Sequence, residues 1–95
     1  MSEKQEELFP IVKNAVERFY AWLDLINVEE KENVTNVDFY NNEKVHILHS
    51  TGHKVSDEIL ELFDETLHNS TRCSFTFLPE ERQAVREMER LSYSC

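Results

Sequence analysis

Glycine is almost absent from this chain, since Gly52 is its single glycine in 95 residues. A dinucleotide-binding fingerprint and a phosphate-binding loop each need several glycines, because backbone amides must approach the phosphates closely. Neither loop can be built here, which excludes the enzyme classes that depend on them. With only two prolines as well, the sequence has few chain breakers, and most residues are expected in helices or strands.

Cysteine is also scarce, and the two thiols, Cys73 and Cys95, lie 22 residues apart. Two distant cysteines are too few for a disulfide scaffold or a zinc knuckle. The N-terminus is acidic and polar and does not have the basic start and apolar middle of a secretion signal. No apolar run approaches the ~20 residues of a membrane span. We therefore expect a cytoplasmic protein with free thiols, Cys95 exposed and Cys73 protected.

Basic residues are outnumbered, with 10 Lys and Arg against 19 Asp and Glu, a formal charge of −9. Such a charge argues against direct binding of nucleic acid and against adsorption to anionic membranes, both of which need a basic surface. The length and the 40% content of hydrophobic residues suit one compact domain spanning residues 1–95.

The longest apolar pattern predicts a helix from Leu8 to Ile26. Its apolar residues recur at steps of three and four, which aligns them on one helical face. Tyr20 and Leu25 are among the residues that widen this face, so the helix is expected to be central in the core. The predicted face consists of Leu8, Val12, Ala15, Val16, Phe19, Trp22, Leu23 and Ile26.

The next segment alternates apolar and polar residues, which predicts a β-hairpin of about Val34–Tyr40 and Lys44–Ser50. Asn41-Asn42 would form the tight turn, because asparagine tolerates the left-handed conformation. Gly52 would mark the turn out of the second strand.

Ser56 is a candidate N-cap for a helix that runs to about His68, with acidic residues in its first turn. Arg72–Leu78 alternates sharply and predicts a half-buried strand. Pro79 followed by two glutamates predicts the start of a last helix, whose apolar stripe includes Ala84 and Met88. The fold class predicted is α+β: a small three-stranded sheet with about three helices in the order α-β-β-α-β-α.

No catalytic or metal-binding pattern stands out. His46, His49 and His53 are clustered in sequence, but His46 and His49, three apart on a strand, would point to opposite faces and would not converge on one metal ion. Folding could still bring His49, His53 and Cys73 together as a zinc site, although no spacing signature supports it. Cys73 shares its predicted strand face with two phenylalanines, which suits a buried hydrophobe better than a nucleophile. We expect no enzyme, no cofactor and no metal.

The helix after Ser56 is the segment with uncompensated charge: residues 56–71 contain five acids and no Lys or Arg. Steps of three and four place several of these acids side by side, where like charges repel by a few tenths of a kcal/mol per pair. One interpretation is a solvated face, or one neutralised by Arg82, Arg86 and Arg90. The other is a partner-binding surface made of Asp57, Glu58, Glu61, Asp64 and Glu65.

The functional hypothesis is a small acidic inhibitor or adaptor that occupies a basic, nucleic-acid-binding surface of a partner protein, whether of viral or other origin. Carboxylates along a helix repeat at a spacing comparable to that of DNA phosphates. Two alternatives stay open: an immunity protein or antitoxin that neutralises a cationic toxin, and an oligomeric small-molecule binder. The first two predict binding that depends on salt, and the third predicts stabilisation by a ligand.

Overall fold

The computed structural model describes residues 2–35, 39–68 and 74–93. In these ranges the chain forms four α-helices and no β-strand, so the predicted α+β fold with a three-stranded sheet is wrong. The only β-type pairing described is an isolated parallel bridge between Asn33 and Ser56. Cys73 and Cys95, with the thiol predictions made for them, lie outside the described residues. The helices are α1 (Glu3–Leu25), α2 (Phe39–Ser50), α3 (Asp57–Leu67) and α4 (Pro79–Tyr93).

Helix α1 begins five residues before the predicted start at Leu8, because Ser2 and Gln5 form a capping box. It ends in a Schellman motif: Asn27 has a positive φ of 63°, and the amide of Val28 donates to the carbonyl of Leu23 at 2.9 Å. The predicted apolar face is confirmed over most of its length, and Ile26 and Leu25 at its end are exposed. Its buried residues are Val12, Ala15, Val16, Phe19, Tyr20 and Leu23.

Helix α2 replaces most of the predicted hairpin. Its buried residues Lys44, Ile47 and Leu48, together with Thr51 just after its end, follow steps of three and four, which is helical spacing. The alternation of Val45 and Ile47 with polar neighbours predicts a strand, but Leu48 beside Ile47 is also buried, and Val45 is only half-buried. Gly52, with φ of 89°, ends α2 in a second Schellman motif, in which the amide of His53 donates to the carbonyl of Leu48 at 3.3 Å.

Helices α3 and α4 agree with the sequence. The hydroxyl of Ser56 accepts from the amide of Ile59 at 3.3 Å and caps α3, as predicted. Helix α4 begins at Pro79, and its Ala84, Val85 and Met88 are buried. Glu81 contributes to the start of α4, because its carboxylate accepts from the amide of Leu78 at 2.8 Å.

Residues 74–78 of the predicted third strand belong to no helix or strand, and the first two residues of that prediction, 72 and 73, lie outside the described residues. Its alternation is confirmed in burial: Phe75 and Phe77 are buried, and Ser74, Thr76 and Leu78 are exposed. The rings of Phe75 and Phe77 pack against Phe19 of α1 and Phe63 of α3. Alternating burial therefore does not require that the segment pairs with a neighbouring strand.

The aromatic core is centred on Phe19, which is fully buried. Its ring centroid lies 5.2 Å from that of Phe63 on α3, 5.9 Å from Phe75 and 6.3 Å from Phe77. The partly buried Trp22 lies at the edge of this cluster, where its indole N–H donates to the hydroxyl of Ser74 at 2.8 Å. Aromatic pairs at such separations add to the stability of the buried area itself.

Helices α1 and α4 run antiparallel. Arg18, in the second half of α1, pairs with Glu81 near the start of α4. The pKa of Glu87, in the second half of α4, is lowered by Arg90 and also by the nearby Lys4 at the start of α1. Glu81 is almost fully buried and Arg18 is about half exposed, and this pair joins the two helices. Among the described residues, none of the helices combines the length and apolar composition that a bilayer crossing requires.

Candidate functional site

The five predicted partner-binding residues all lie on α3 or at its start, but the structure divides them by their surroundings. Glu58 and Glu61 are exposed to solvent. Asp57, Asp64 and Glu65 are half-buried. The opposite side of the helix, with Ile59, Leu60, Phe63 and Leu67, is sealed into the core as predicted.

Asp57 fastens the preceding connection to α3. Its carboxylate accepts from the amide of Thr35 at 3.2 and 3.4 Å and also from the Thr35 hydroxyl. The backbone amide of Asp57 donates to the carbonyl of Asn33 at 3.2 Å. The amide of Asn33 in turn donates to the carbonyl of Val55 at 3.0 Å. Residues 33–35 are thereby joined to the first turn of α3, so Asp57 has a structural contact in addition to its charge.

Asp64 belongs to a charged cluster that the sequence did not reveal. The ammonium of Lys44 lies 3.7 Å from the Asp64 carboxylate and 3.5 Å from that of Glu89 on α4. The side chain of Lys44 is 7% exposed. Burial raises the pKa of the Glu89 carboxyl above its ordinary value, and the nearby Lys44 opposes this rise. The cluster joins α2, α3 and α4.

The arginine row of α4 contacts the end of α3. Arg86 donates to the carbonyl of Leu67 at 3.0 Å, which satisfies one of the last carbonyls of that helix. Arg82 donates to the carbonyl of Phe77 at 3.4 Å, and Arg90 pairs with Glu87. The Arg86 contact lies at the C-terminal end of α3, and Arg82 and Arg90 line the same cleft as Leu67 and His68, whereas Glu58 and Glu61 lie toward the N-terminal end of α3.

A second cluster surrounds His53, one of the histidines that the sequence placed in a turn. Its ring stacks on that of Tyr20, with centroids 3.9 Å apart. Nδ1 lies 3.0 Å from a carboxylate oxygen of Glu30, and Nε2 lies 3.2 Å from one of Glu17. The hydroxyl of Tyr20 donates to the carbonyl of Lys54 at 2.7 Å.

The electrostatics of this cluster follow from its geometry. Burial, and then the negative charge of Glu30, raise the pKa of the Tyr20 hydroxyl. Partial burial alone would raise the pKa of Glu30. The effect of burial is outweighed by two contacts: the amide of Lys54 donates to Glu30 at 3.0 Å, and His53 lies beside the carboxylate. The pKa of Glu30 is therefore lowered. The cluster therefore holds residue 30 against residues 53 and 54.

A small cavity of about 310 Å³ lies between α1, α2 and α4. Val12, Ile47 and Met88 form its apolar wall, and His46 and Gln5 contribute polar groups. Its volume is at the lower limit for a small-molecule pocket. Among residues 2–35, 39–68 and 74–93, no three His, Cys, Asp or Glu side chains are grouped so that they could hold a metal ion.

Sequence reasoning missed Lys44, Glu89 and His53 because each lies far along the chain from its partners. Two signals were present: Lys44 occupies a core position in the helical row of α2, and Glu89 follows one residue after the buried Met88. Neither signal identifies the partner side chain, which only the packing of the helices determines.

Fold and surface define a small acidic protein whose described part consists of four helices, with carboxylates on the outer side of α3. In comparisons with known proteins, no family model, no curated protein and no solved structure matches this chain.

Proposed function

We propose that this protein acts as a small inhibitor or adaptor that binds a basic surface of a cytoplasmic partner protein through the acidic side of α3. The partner surface that suits it best is one that otherwise binds nucleic acid. The observation that supports the proposal is the pairing of two acidic segments, residues 28–35 and the start of α3, into one surface.

The joined segments concentrate negative charge. Residues 28–35 and 53–65 together contain eight carboxylates and two lysines, a net charge of −6 without His53. Glu29 has a side chain that is 80% exposed, and Glu58 and Glu61 are exposed on α3. A patch of one sign steers an oppositely charged partner and raises the association rate more than the final affinity.

Contacts within the chain modify the predicted set of binding residues. Asp57 holds Thr35, and Asp64 lies beside Lys44, so both carboxylates already have partners in this protein. We therefore propose Glu58 and Glu61, which are exposed, as the partner contacts, and the half-buried Asp57, Asp64 and Glu65 as residues that support the surface.

A double charge reversal tests the proposal. Glu29→Lys with Glu61→Lys changes one exposed residue on each acidic segment and should alter stability by less than about 0.5 kcal/mol. The control is Glu6→Lys with Glu7→Lys, which changes net charge equally at the other end of α1. With a rise of about 1.5 Å per residue, these residues lie roughly 30 Å from the end of α1 next to residue 28.

Binding is measured by capture from an extract of the native cell, followed by association kinetics with each captured protein. The Glu29/Glu61 variant should associate more slowly, with the largest loss at low salt, and the Glu6/Glu7 variant should keep most of the wild-type rate. Equal losses in both variants would show that only bulk charge matters and would refute the docking surface.

The immunity-protein alternative is distinguished by competition. If the partner surface normally binds nucleic acid, duplex DNA should displace this protein from its partner at low salt. A partner that does not bind DNA, and whose toxic activity this protein suppresses, would instead favour the cationic-toxin hypothesis.

The cavity between α1, α2 and α4 supports the third alternative, a small-molecule binder. A ligand that binds there would raise the melting temperature, because it adds a stabilisation that grows with the logarithm of one plus its concentration over its Kd. Thermal shift with a library of small apolar acids and bases, repeated on Val12→Trp to fill the cavity, would test this function. Stabilisation lost in that variant would favour it over the docking function.

A further inference from the structure

An open cleft of about 490 Å³ lies where the end of α3 meets one side of α4. Its charge is opposite to that of the acidic surface. Three arginines line the cleft, and Glu87 is the only carboxylate among its lining residues. The complete lining is Leu67, His68, Pro79, Arg82, Gln83, Arg86, Glu87 and Arg90. A local excess of positive charge in a chain of net charge −9 requires an explanation.

The arginines are positioned by contacts on the floor and rim of the cleft. Arg86 is anchored to the carbonyl of Leu67, and Arg82 to that of Phe77. Arg90 lies one turn beyond Arg86, next to Glu87, whose pKa the Arg90 guanidinium holds below its usual range. A guanidinium has five N–H donors, so the contact with Leu67 leaves Arg86 with donors for a second acceptor.

Two further features favour an anion over a neutral ligand. Residues four apart on a helix lie ~6 Å from each other, so Arg82, Arg86 and Arg90 form a continuous row. Pro79 places the N-terminal, positive end of α4 at one edge of the cleft.

We propose that this cleft binds a compact phosphate-bearing small molecule, with Arg86 as the central contact and Arg82 and Arg90 on either side. The planar fork of arginine matches the oxygens of a phosphate in a bidentate arrangement. Six of the eight residues that line the open cleft have polar or charged side chains, and three of these are the arginines. A long polyanion such as nucleic acid would also meet the repulsion of the remaining acidic surface.

Titration with pyrophosphate tests the proposal. Binding is followed by the NMR signals of the arginine side chains and by calorimetry at a constant ionic strength of ~0.15 M, where charges more than ~8 Å away are largely screened. We expect saturable shifts of the Arg86 Nε–H signal. The double variant Arg86→Gln with Arg90→Gln should weaken binding by about tenfold or more.

The matched control is Lys13→Gln with Lys31→Gln, which removes the same charge from exposed positions on α1 and on the connection after it. It should leave pyrophosphate affinity within about twofold of wild type, as expected for sites that do not touch the ligand. Citrate, an anion of similar charge that has carboxylates in place of phosphates, should bind more weakly.

Three results would overturn the assignment: no saturable shift with pyrophosphate, equal weakening in both double variants, or equal affinity for citrate. Circular dichroism and thermal melts establish that each variant is folded, so that a loss of binding is not caused by unfolding. The test does not depend on the acidic surface of α3, so its outcome is independent of the proposed docking function.

Discussion

Phe19 is the residue on which the aromatic core depends, since its ring lies against rings from α3 and from the 74–78 segment. Phe19→Ala should lower the free energy of unfolding by roughly 3–5 kcal/mol, because it removes buried surface and leaves a cavity. For a domain of this size that corresponds to a fall in melting temperature of more than about 12 °C.

The control for Phe19 is Ile11→Ala, at a position of the same helix that is 39% exposed. It should cost far less than Phe19→Ala, as surface truncations usually do. A Phe19→Ala variant that melts within a few degrees of wild type would show that the core is organised around another residue.

Lys44 is a buried cation whose contacts are the carboxylates of Asp64 and Glu89. Lys44→Met should destabilise the protein by about 3 kcal/mol at pH 7, because Glu89 would be left buried without its cation. The loss should shrink as pH falls through the raised pKa of Glu89, since the protonated carboxyl no longer needs a cation. Urea denaturation at several pH values measures both effects.

A rescue variant separates charge from packing at Lys44. Lys44→Met combined with Glu89→Leu removes both buried charges and should recover most of the lost stability. Lys13→Met, at an exposed position, is the control and should stay near wild type. No recovery in the double variant would mean that the Lys44 stem, and not its charge, stabilises the fold.

Glu30 contributes stability that depends on pH. Its pKa is lowered from the ordinary value of about 4.5 by the Lys54 amide and by His53, despite partial burial. A carboxylate with a depressed folded pKa stabilises above its unfolded pKa, and that contribution is lost as pH falls through the folded pKa. Between about pH 5.5 and pH 3, the melting temperature of wild type should therefore fall further than that of the Glu30→Gln variant.

The comparison needs a matched carboxylate, and Glu29→Gln provides one at a side chain that is 80% exposed. The Glu29→Gln variant retains Glu17, Glu30, His53, Tyr20 and Lys54, the groups that face one another in this cluster. Its acid dependence should follow that of wild type. If Glu30→Gln shows the same acid dependence as Glu29→Gln, Glu30 does not fasten the connection.

At the scale of elements, α2 is the clearest departure from the sequence prediction and is open to a direct test. Ile47 and Leu48 are both buried in the helix, at 2% and 0% exposure. In a strand, neighbouring side chains would point to opposite faces. Ile47→Ala and Leu48→Ala should each cost about 2–5 kcal/mol, measured by thermal or chemical denaturation.

Val45→Ala is the companion variant for α2, because Val45 is only half-buried in the helix, whereas the hairpin would place it beside Ile47 on the core face. It should cost less than either alanine substitution at the buried positions. A large loss for Val45 and Ile47 together with a negligible loss for Leu48 would support the hairpin instead.

At the scale of the whole molecule, the charge of −9 acts on stability as well as on association. Like charges in the compact state repel one another, and salt screens that repulsion. The melting temperature should rise as NaCl increases from about 10 mM to about 0.5 M, over which the Debye length falls from roughly 30 Å to below 5 Å. Scanning calorimetry at fixed pH measures it.

The Glu29/Glu61 charge reversal also tests this whole-molecule effect. It reduces the net charge from −9 to −5 and should make the melting temperature less sensitive to salt than that of wild type. A fall in the wild-type melting temperature on adding salt would mean that attractive pairs such as Arg18–Glu81 outweigh the repulsion.

Much of the fold was predictable from local patterns. The core faces of α1, α3 and α4, the Ser56 cap and the start of α4 at Pro79 all depend on residues within a turn or two of each other. The acidic surface was predictable only in part. Glu58 and Glu61 are exposed, but the contacts of Asp57 with Thr35 and of Asp64 with Lys44 span 22 and 20 residues of sequence.

The sequence by itself determined the net charge, the excess of acids on α3 and three of the four helices, because these properties depend on composition or on neighbouring residues. Tertiary structure alone decided that residues 39–50 form a helix and that residues 74–78 belong to no strand. The physical reason is the same in both places: the stable conformation depends on distant groups. Lys44 can be buried in α2 only because Asp64 and Glu89 lie beside it. Phe75 and Phe77 are buried because they pack against Phe19 of α1 and Phe63 of α3.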